Sequence, residues 1–174
     1  MVAINTDKIL SKEEIDDLFI VDAEAGLLRW RRRGPGRPLS KRVGCLVGAG
    51  YRKVGLRLSG GKYIQFYVHH IIWAYHYGKW PSFPLDHING DKDDNRIANI
   101  RLAPSTSHNR VNTKRYRTNF SGYKWVSPHK NRWQAAVWFG EERRQKYFKS
   151  KEDAYQWACE QAKELHGEFY NAGG

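Results

Sequence analysis

The stretch LDHINGDKDDNRIANIRLAPSTSHNRVN, residues 85–112 of a 174-residue chain, decides the fold. It predicts two short strands, one around Asp86–His87 and one over Ile100–Leu102, separated by a polar loop. Pro104 and Ser105 then open a helix that carries His108. Neighbouring residues of a strand point to opposite faces, so Asp86 and His87 are expected to serve different partners. An antiparallel return lets Asn99 reach back to His87, and His108, a turn and more into the helix, close over Asp86. A calcium loop does not fit. Started at Asp91, it places Arg96 where glycine is needed and Leu102 where the bidentate glutamate belongs. Asp91, Asp93 and Asp94 are therefore read as solvated turn residues.

Working outward, Ser11 and Glu14 form a capping box before Ile15, Leu18 and Phe19, which predicts a short opening helix. Phe19 to Val21 and Leu27 to Trp30, around Gly26, read as a small hairpin. RRRGPGRPLSKR is an irregular basic loop. Tyr51 to Leu58 and Lys62 to Val68 flank Ser59-Gly60-Gly61, a second hairpin signal. His70 to Tyr77 is apolar and aromatic and stops at Gly78, as a buried helix does. Downstream, RVNTKRYRTN from Arg110 to Asn119 has no acid and no periodicity, and reads as a linker that tracks a backbone. Strands are then expected over Tyr123 to Val126, Arg132 to Phe139 and Gln145 to Phe148, joined by SPHKN and GEER turns. In the middle strand Trp133, Ala135, Val137 and Phe139 alternate with Arg132, Gln134, Ala136 and Trp138, which leaves one face for solvent. Ser150 with Asp153 caps a last helix with Ala154, Trp157, Ala158, Gln161 and Leu165 on one stripe. The fold class is α+β. The expected division is a body over residues 1–109, a basic linker over 110–118 and a sheet-plus-helix module over 119–174.

Lys and Arg total 30 against 18 acids, a net charge of +12, and aromatic residues make up 14%. That combination suits neutralisation of phosphates and packing against sugars or bases. From Arg29 to Leu85 there is no acid, while Arg31, Arg32, Arg33, Arg37, Lys41, Arg42, Arg52, Lys53, Arg57, Lys62 and Lys79 fall inside. Acids return abruptly at Asp86, Asp91, Asp93 and Asp94. A positive field leading into a small acidic cluster suits an enzyme that attracts a polyanion and holds a metal beside it. Other classes are excluded. Cys45 and Cys159 lie far apart without a Cys-x-x-Cys pair, against a cysteine zinc ribbon or a disulfide framework. No apolar run approaches the roughly 18 residues of a membrane span. The opening MVAINTDKILSKEE lacks the layout of a secretion signal. The expected location is the cytoplasm, that of a host cell if the chain is phage-encoded.

Hydrolysis of a phosphodiester needs a water deprotonated near neutral pH, and histidine titrates there. It also needs a divalent cation against the charge that develops on the phosphate and the departing sugar oxygen. Carboxylate and imidazole are plausible ligands, and an amide can hold the neutral base.

With these residues in place, the "DHINGDKDDNRIANIRLA" frame with Asn99 and His108 resembles the HNH (ββα-metal) endonucleases, particularly the homing-type enzymes of phages and introns. The resemblance extends upstream through Tyr51 to Val68 and His69-His70-Ile71-Ile72-Trp73, covering roughly residues 17–112. It implies that His87 is the general base, that Asn99 orients it, and that Asp86 and His108 hold one divalent cation. Many homing-type members carry asparagine at that last position, so Asn109 is the alternative ligand to His108. It further implies Mg²⁺, with Mn²⁺ or another divalent ion able to substitute, and double-stranded DNA cut to 5′-phosphate and 3′-hydroxyl ends by a monomer or homodimer. The competing class is a catalytically silent, sequence-specific DNA-binding regulator. RNA binding, resting on the linker and aromatics, is a third.

"SGYKWVSPHKNRWQAAVWF", "KYFKSKEDAYQWA" and "ELHGEF", between about Asn119 and Tyr170, resemble the ethylene-responsive-factor-like DNA-binding domain. That resemblance implies a sheet in the major groove with Lys124, Arg132 and Gln134 as contacts, joined by Arg143 or Arg144. The linker residues Arg110, Lys114, Arg115 and Arg117 are expected against phosphates. His69 and His70 are read as junction histidines, His76 and His166 as solvated helix residues, His129 as a turn residue. Trp73, Trp80, Trp133 and Trp157 are read as core, and Trp138 alone is placed on the polar face.

Overall fold

The computed structural model describes residues 10–57, 61–111 and 119–172. The chain divides into two compact units, Met1–Leu102 and Ala103–Gly174, and both mix helices with small antiparallel sheets. Among the described residues no helix is long and apolar enough to cross a membrane.

In the first unit α1 (Lys12–Leu18) starts at the expected capping box. The Ser11 hydroxyl accepts the Glu14 N–H at 3.2 Å, and the Glu14 carboxylate accepts the Ser11 N–H at 2.8 Å. The strands β1 (Phe19–Asp22) and β2 (Leu27–Trp30) form a hairpin. A second sheet holds β3 (Cys45–Leu46), β4 (Arg52–Arg57) and β5 (Tyr63–Tyr67), in that order. Its inward alternates Val54 and Leu56 face Phe66 and Ile64 across the ladder. The helix α2 (Val68–Tyr77) follows β5 directly and ends at Gly78, whose φ of 67° is the left-handed conformation glycine favours. Ile71 and Ile72 of α2 pack with Ile15, Phe19 and Leu28 into one core. Against that core lies the hairpin of β6 (Leu85–His87) and β7 (Ile100–Leu102).

The second unit begins with α3 (Thr106–Val111). The module boundary was expected after residue 109, but the division falls after Leu102. The reason is packing, since Ala103 and Val111 are buried with Phe139 and Phe169. The sheet orders β8 (Val126–His129), β9 (Arg132–Phe139) and β10 (Glu142–Phe148), with β9 central. The first strand lies later than the expected 123–126. Ser121 and Asn119 tie the preceding segment into a turn, with the Ser121 hydroxyl donating to the carbonyl of Val126 at 2.8 Å. Trp125 then takes a positive φ of 65°, outside strand geometry. The expected SPHKN and GEER turns shrink to Lys130-Asn131 and Gly140-Glu141, and the remaining residues join the ladder. The helix α4 (Lys151–His166) is capped by Ser150, whose hydroxyl accepts the Asp153 N–H. Ala154, Ala158 and Ala162 recur every fourth residue and bury their small side chains against Val126, Ala135 and Val137.

Candidate active site

The hairpin of β6 and β7 sets the site's geometry. Asp86 stands opposite Arg101 and His87 opposite Ile100. Directly opposed residues share a face, so Asp86 meets Arg101, which approaches its carboxylate through Nε at 3.0 Å and Nη2 at 2.8 Å. The imidazole of His87, one residue on, points the other way. It is 3% exposed, and its Nε2 lies 3.1 Å from Oδ1 of Asn95. The His69 ring stands edge-on to it at 4.9 Å, and Tyr51 lies 5.9 Å away.

The loop after His87 is held by its own side chains. Gly90 N–H donates to the carbonyl of His87 at 2.8 Å, and Ile88 N–H to that of Asn99 at 2.9 Å. The amide of Asn99 works as a staple. Its Oδ1 accepts the Asn89 N–H at 3.0 Å, and its Nδ2 donates to Asn89 Oδ1 and to the carbonyl of Asp94. Those hydrogen bonds go to the loop, and the oxygen that meets the His87 ring belongs to Asn95. Asp93 is not the solvated residue expected. Arg52 grips its carboxylate through two nitrogens at 2.8 and 2.9 Å, and Arg42 adds a contact at 3.1 Å. The Arg52 hydrogen bond and the nearby charges of Arg42 and Arg52 keep Asp93 below the usual carboxylate range, against the opposing effect of burial. Asp94 is held down to about 2, chiefly by its hydrogen bond from Arg96.

Around His87 lies an aromatic and imidazole cluster. Tyr51 and Tyr67 meet edge to face at 5.4 Å, with the Lys92 ammonium 4.9 Å over Tyr51 and that of Lys53 4.3 Å over Tyr67. Burial, followed by the neighbouring imidazoles of His70 and His87, holds His69 well below the usual histidine range. His70 is pushed down to about 4, again mainly by burial and then by His87. Both are therefore neutral near pH 7.

His108 lies in the second unit. Its Nδ1 is 2.7 Å from the Ser105 hydroxyl, and its ring packs edge-on against Phe139 at 4.9 Å and Phe169 at 4.4 Å. The same Nδ1 accepts the Ser105 N–H at 3.2 Å, so in the neutral ring Nδ1 carries the lone pair and Nε2 the proton. By donor type alone, carboxylate and imidazole are side chains that a divalent cation accepts as ligands. Among the described residues no group of three or more His, Cys, Asp or Glu is gathered with metal-binding geometry.

The open face of the second unit's sheet carries Arg132, Gln134 and Trp138 from β9 and Arg143, Gln145 and Tyr147 from β10. Trp138 is 51% exposed, with the Arg143 guanidinium 5.7 Å from its ring. Gln134 Nε2 donates to Gln145 Oε1 at 3.2 Å. Two of the expected contacts do not stand on this face. Arg144 turns toward α4, pairing with Glu164 at 2.8 Å and Gln161 at 3.0 Å and with Glu142 beside it. Lys124 is 8% exposed and donates to the carbonyls of Val111 and Asn171, each at 2.8 Å. Burial lowers it to about 8. His166, read as solvated, is buried and its Nε2 donates to the carbonyl of Trp138 at 3.0 Å. Lys114, Arg115 and Arg117 lie outside the described residues, as does the side chain of Arg110.

Comparison with known proteins matches the segment around this hairpin to a family. Residues 66–110 match the HNH endonuclease family. A solved structure reported as "DNA binding and cleavage by the HNH homing endonuclease I-HmuI" is similar at 26% identity and a TM-score of 0.40, over 54% of this chain and 51% of that one. The chain thus spans about half the length of that protein. No curated protein matches it in sequence.

Proposed function

We propose that the chain is a DNA endonuclease of the homing kind, encoded by a phage or an intron. It hydrolyses phosphodiesters to 5′-phosphate and 3′-hydroxyl ends. The observation that carries this reading is His87, set beside Asp86 on β6 and held on Asn95, within the segment that matches the HNH endonucleases. His87 takes a proton from water, whose oxygen bonds to phosphorus as the bond from phosphorus to the sugar 3′ oxygen breaks. That leaving oxygen gains a proton from solvent. Asp86 and His108, with Asn109 the alternative to the latter, would hold the divalent cation. Mg²⁺ or Mn²⁺ bound there supplies positive charge against that developing on the phosphate. Arg101 fixes the orientation of the Asp86 carboxylate. Asn99 contributes by closing the loop that carries Asn95.

Double-stranded DNA is the proposed partner, bound by a monomer or homodimer in the cytoplasm. The sheet of the second unit is the proposed reader, as in an ethylene-responsive-factor-like domain. Arg132 and Arg143 suit guanine edges or phosphates there, and Gln134 suits adenine. Arg110, Lys114, Arg115 and Arg117 are proposed to contact the phosphates of the DNA backbone.

Plasmid incubated with the purified protein and Mg²⁺ or Mn²⁺ tests this. Wild type is expected to give nicked or linear DNA with 3′-hydroxyl ends. His87→Ala should bind as wild type does and cleave roughly 10²–10⁴-fold more slowly, the contribution of a placed general base. Cleavage by His87→Ala at the wild-type rate overturns the mechanism. Tight binding by a wild-type protein that forms no product with either metal replaces it with the silent regulator, for which the Asp86–Arg101 pair would be a structural ion pair only.

A further inference from the structure

Asn95 is 1% exposed, and one side of its amide is unexplained by packing. Its Oδ1 meets Nε2 of His87 at 3.1 Å, whereas its Nδ2 is buried without a hydrogen-bond partner. A buried, unsatisfied NH₂ group costs on the order of 1–3 kcal/mol, and a leucine, with the same branched heavy-atom skeleton, would avoid that cost. The amide's contribution therefore lies on its oxygen side. The segment that carries it is anchored at both ends. Asn95 N–H donates to the carbonyl of Asp93 at 3.1 Å, and Ile97 N–H to that of Ala23, in the turn between β1 and β2, at 2.9 Å. Arg42 and Arg52 hold Asp93, and Arg96 grips Asp94 at 2.7 Å. The Asn95 oxygen is thus set by the frame of the first unit rather than by a free rotamer.

We propose that Asn95 is a positioning residue that pins the His87 imidazole as its Nε2–H tautomer and turns the Nδ1 lone pair toward the hydrolytic water. An amide oxygen is an acceptor only, so the nitrogen facing it carries the proton and the other ring nitrogen is the basic one. This assigns to Asn95 the orienting role that spacing and the family resemblance gave to Asn99, whose hydrogen bonds keep the loop closed. The inference rests on His87 being the base. Asn95 itself touches neither water nor phosphate and acts through the ring.

The test reads the tautomer and the rate separately on the full chain. In long-range ¹H–¹⁵N spectra, with the His87 signals assigned by their loss in His87→Gln, wild type should carry its proton on Nε2. Asn95→Leu should lose that preference. Its kcat for DNA cleavage should fall about tenfold or more, a share of what a placed base contributes, with KM nearly unchanged. Asn95→Asp, which keeps an acceptor at the same place, should restore the tautomer and a rate well above that of Asn95→Leu. A wild-type proton on Nδ1 overturns the proposal whether or not the variants fold. So does an Asn95→Leu protein with an unaltered tautomer and kcat, or an Asn95→Asp protein as impaired as Asn95→Leu. If wild type cleaves no DNA, the nuclease reading fails by itself, and the spectra still decide what Asn95 does to the ring.

Discussion

His69 and His70 sit where a strand becomes a helix, a place where the sequence alone reads as an ordinary junction. Their burial gives the protein an acid-sensitive point. Unfolded, each imidazole takes up a proton near its ordinary value of 6.5, whereas folded His70 does so only near 4. The unfolded state thus binds more protons between those values, and stability falls as pH drops from about 6.5 to about 4. Below that window His70 adds no further loss. Its contribution is at most on the order of 3 kcal/mol, taking about 1.36 kcal/mol for each tenfold change in proton affinity. Urea unfolding at pH 7 and pH 5 is expected to show lower stability at pH 5 in wild type and a smaller difference in His70→Gln. Equal pH dependence in the two proteins would assign the acid sensitivity elsewhere. At this scale the sequence was silent about partners. Arg101 became the companion of Asp86 only through the register of β6 and β7, and Lys124 left the set of expected DNA contacts because carbonyls at positions 111 and 171 converge on it.

Among the elements, the turn between β1 and β2 governs the loop that follows His87. Gly26 has a φ of 68°, and a Cβ there would collide with the carbonyl carbon of Asn95 and the nitrogen of Arg96. Gly78, with a φ of 67°, has open space where its Cβ would go. The two glycines separate conformational cost from contact. Gly78→Ala should lose only the roughly 1–2 kcal/mol of a left-handed residue with a side chain. Gly26→Ala should lose more, because backbone cannot move aside as a flexible side chain can. It should also slow DNA cleavage by displacing Asn95 while leaving affinity for DNA intact. Thermal unfolding and a cleavage assay on both variants check this, and equal losses in the two would show that the close approach has no consequence. Elements with local signals were legible in the sequence: the Ser11–Glu14 and Ser150–Asp153 caps, the alternation of β9, and the Asp86–His87 strand. β3 is too short to leave a pattern, and β8 starts after a positive φ at Trp125 that no propensity for tryptophan announces. The helix bearing His108 was legible as a helix. Its membership of the second unit was not, because Val111 finds its burial among Phe139 and Phe169.

For the whole molecule, the count of 30 Lys and Arg overstates the cations open to DNA, since many arginines are already engaged by acids. Arg42 and Arg52 are matched by Asp93, Arg96 by Asp94, Arg101 by Asp86, and Arg144 by Glu142 and Glu164. Lys92 instead rests on the face of Tyr51, which adjoins His87, and Lys53 on that of Tyr67, one ring further out. A phosphodiester drawn to His87 would meet these ammonium groups, and each phosphate they neutralise releases condensed counterions. The logarithm of DNA affinity should therefore fall steeply with the logarithm of salt concentration, by about 0.9 in slope for each contact. Lys53→Ala/Lys92→Ala should lower that slope by roughly 1.8 and raise KM, with much less effect on kcat. Arg144→Ala removes the same kind of charge from a residue turned into α4, and should leave the slope nearly as it is in wild type. Titrations of labelled duplex across a salt series measure both variants. A slope that changes as much for Arg144→Ala as it does per lysine in the double variant would mean that DNA senses only total charge, and that the ring-held lysines have no special place.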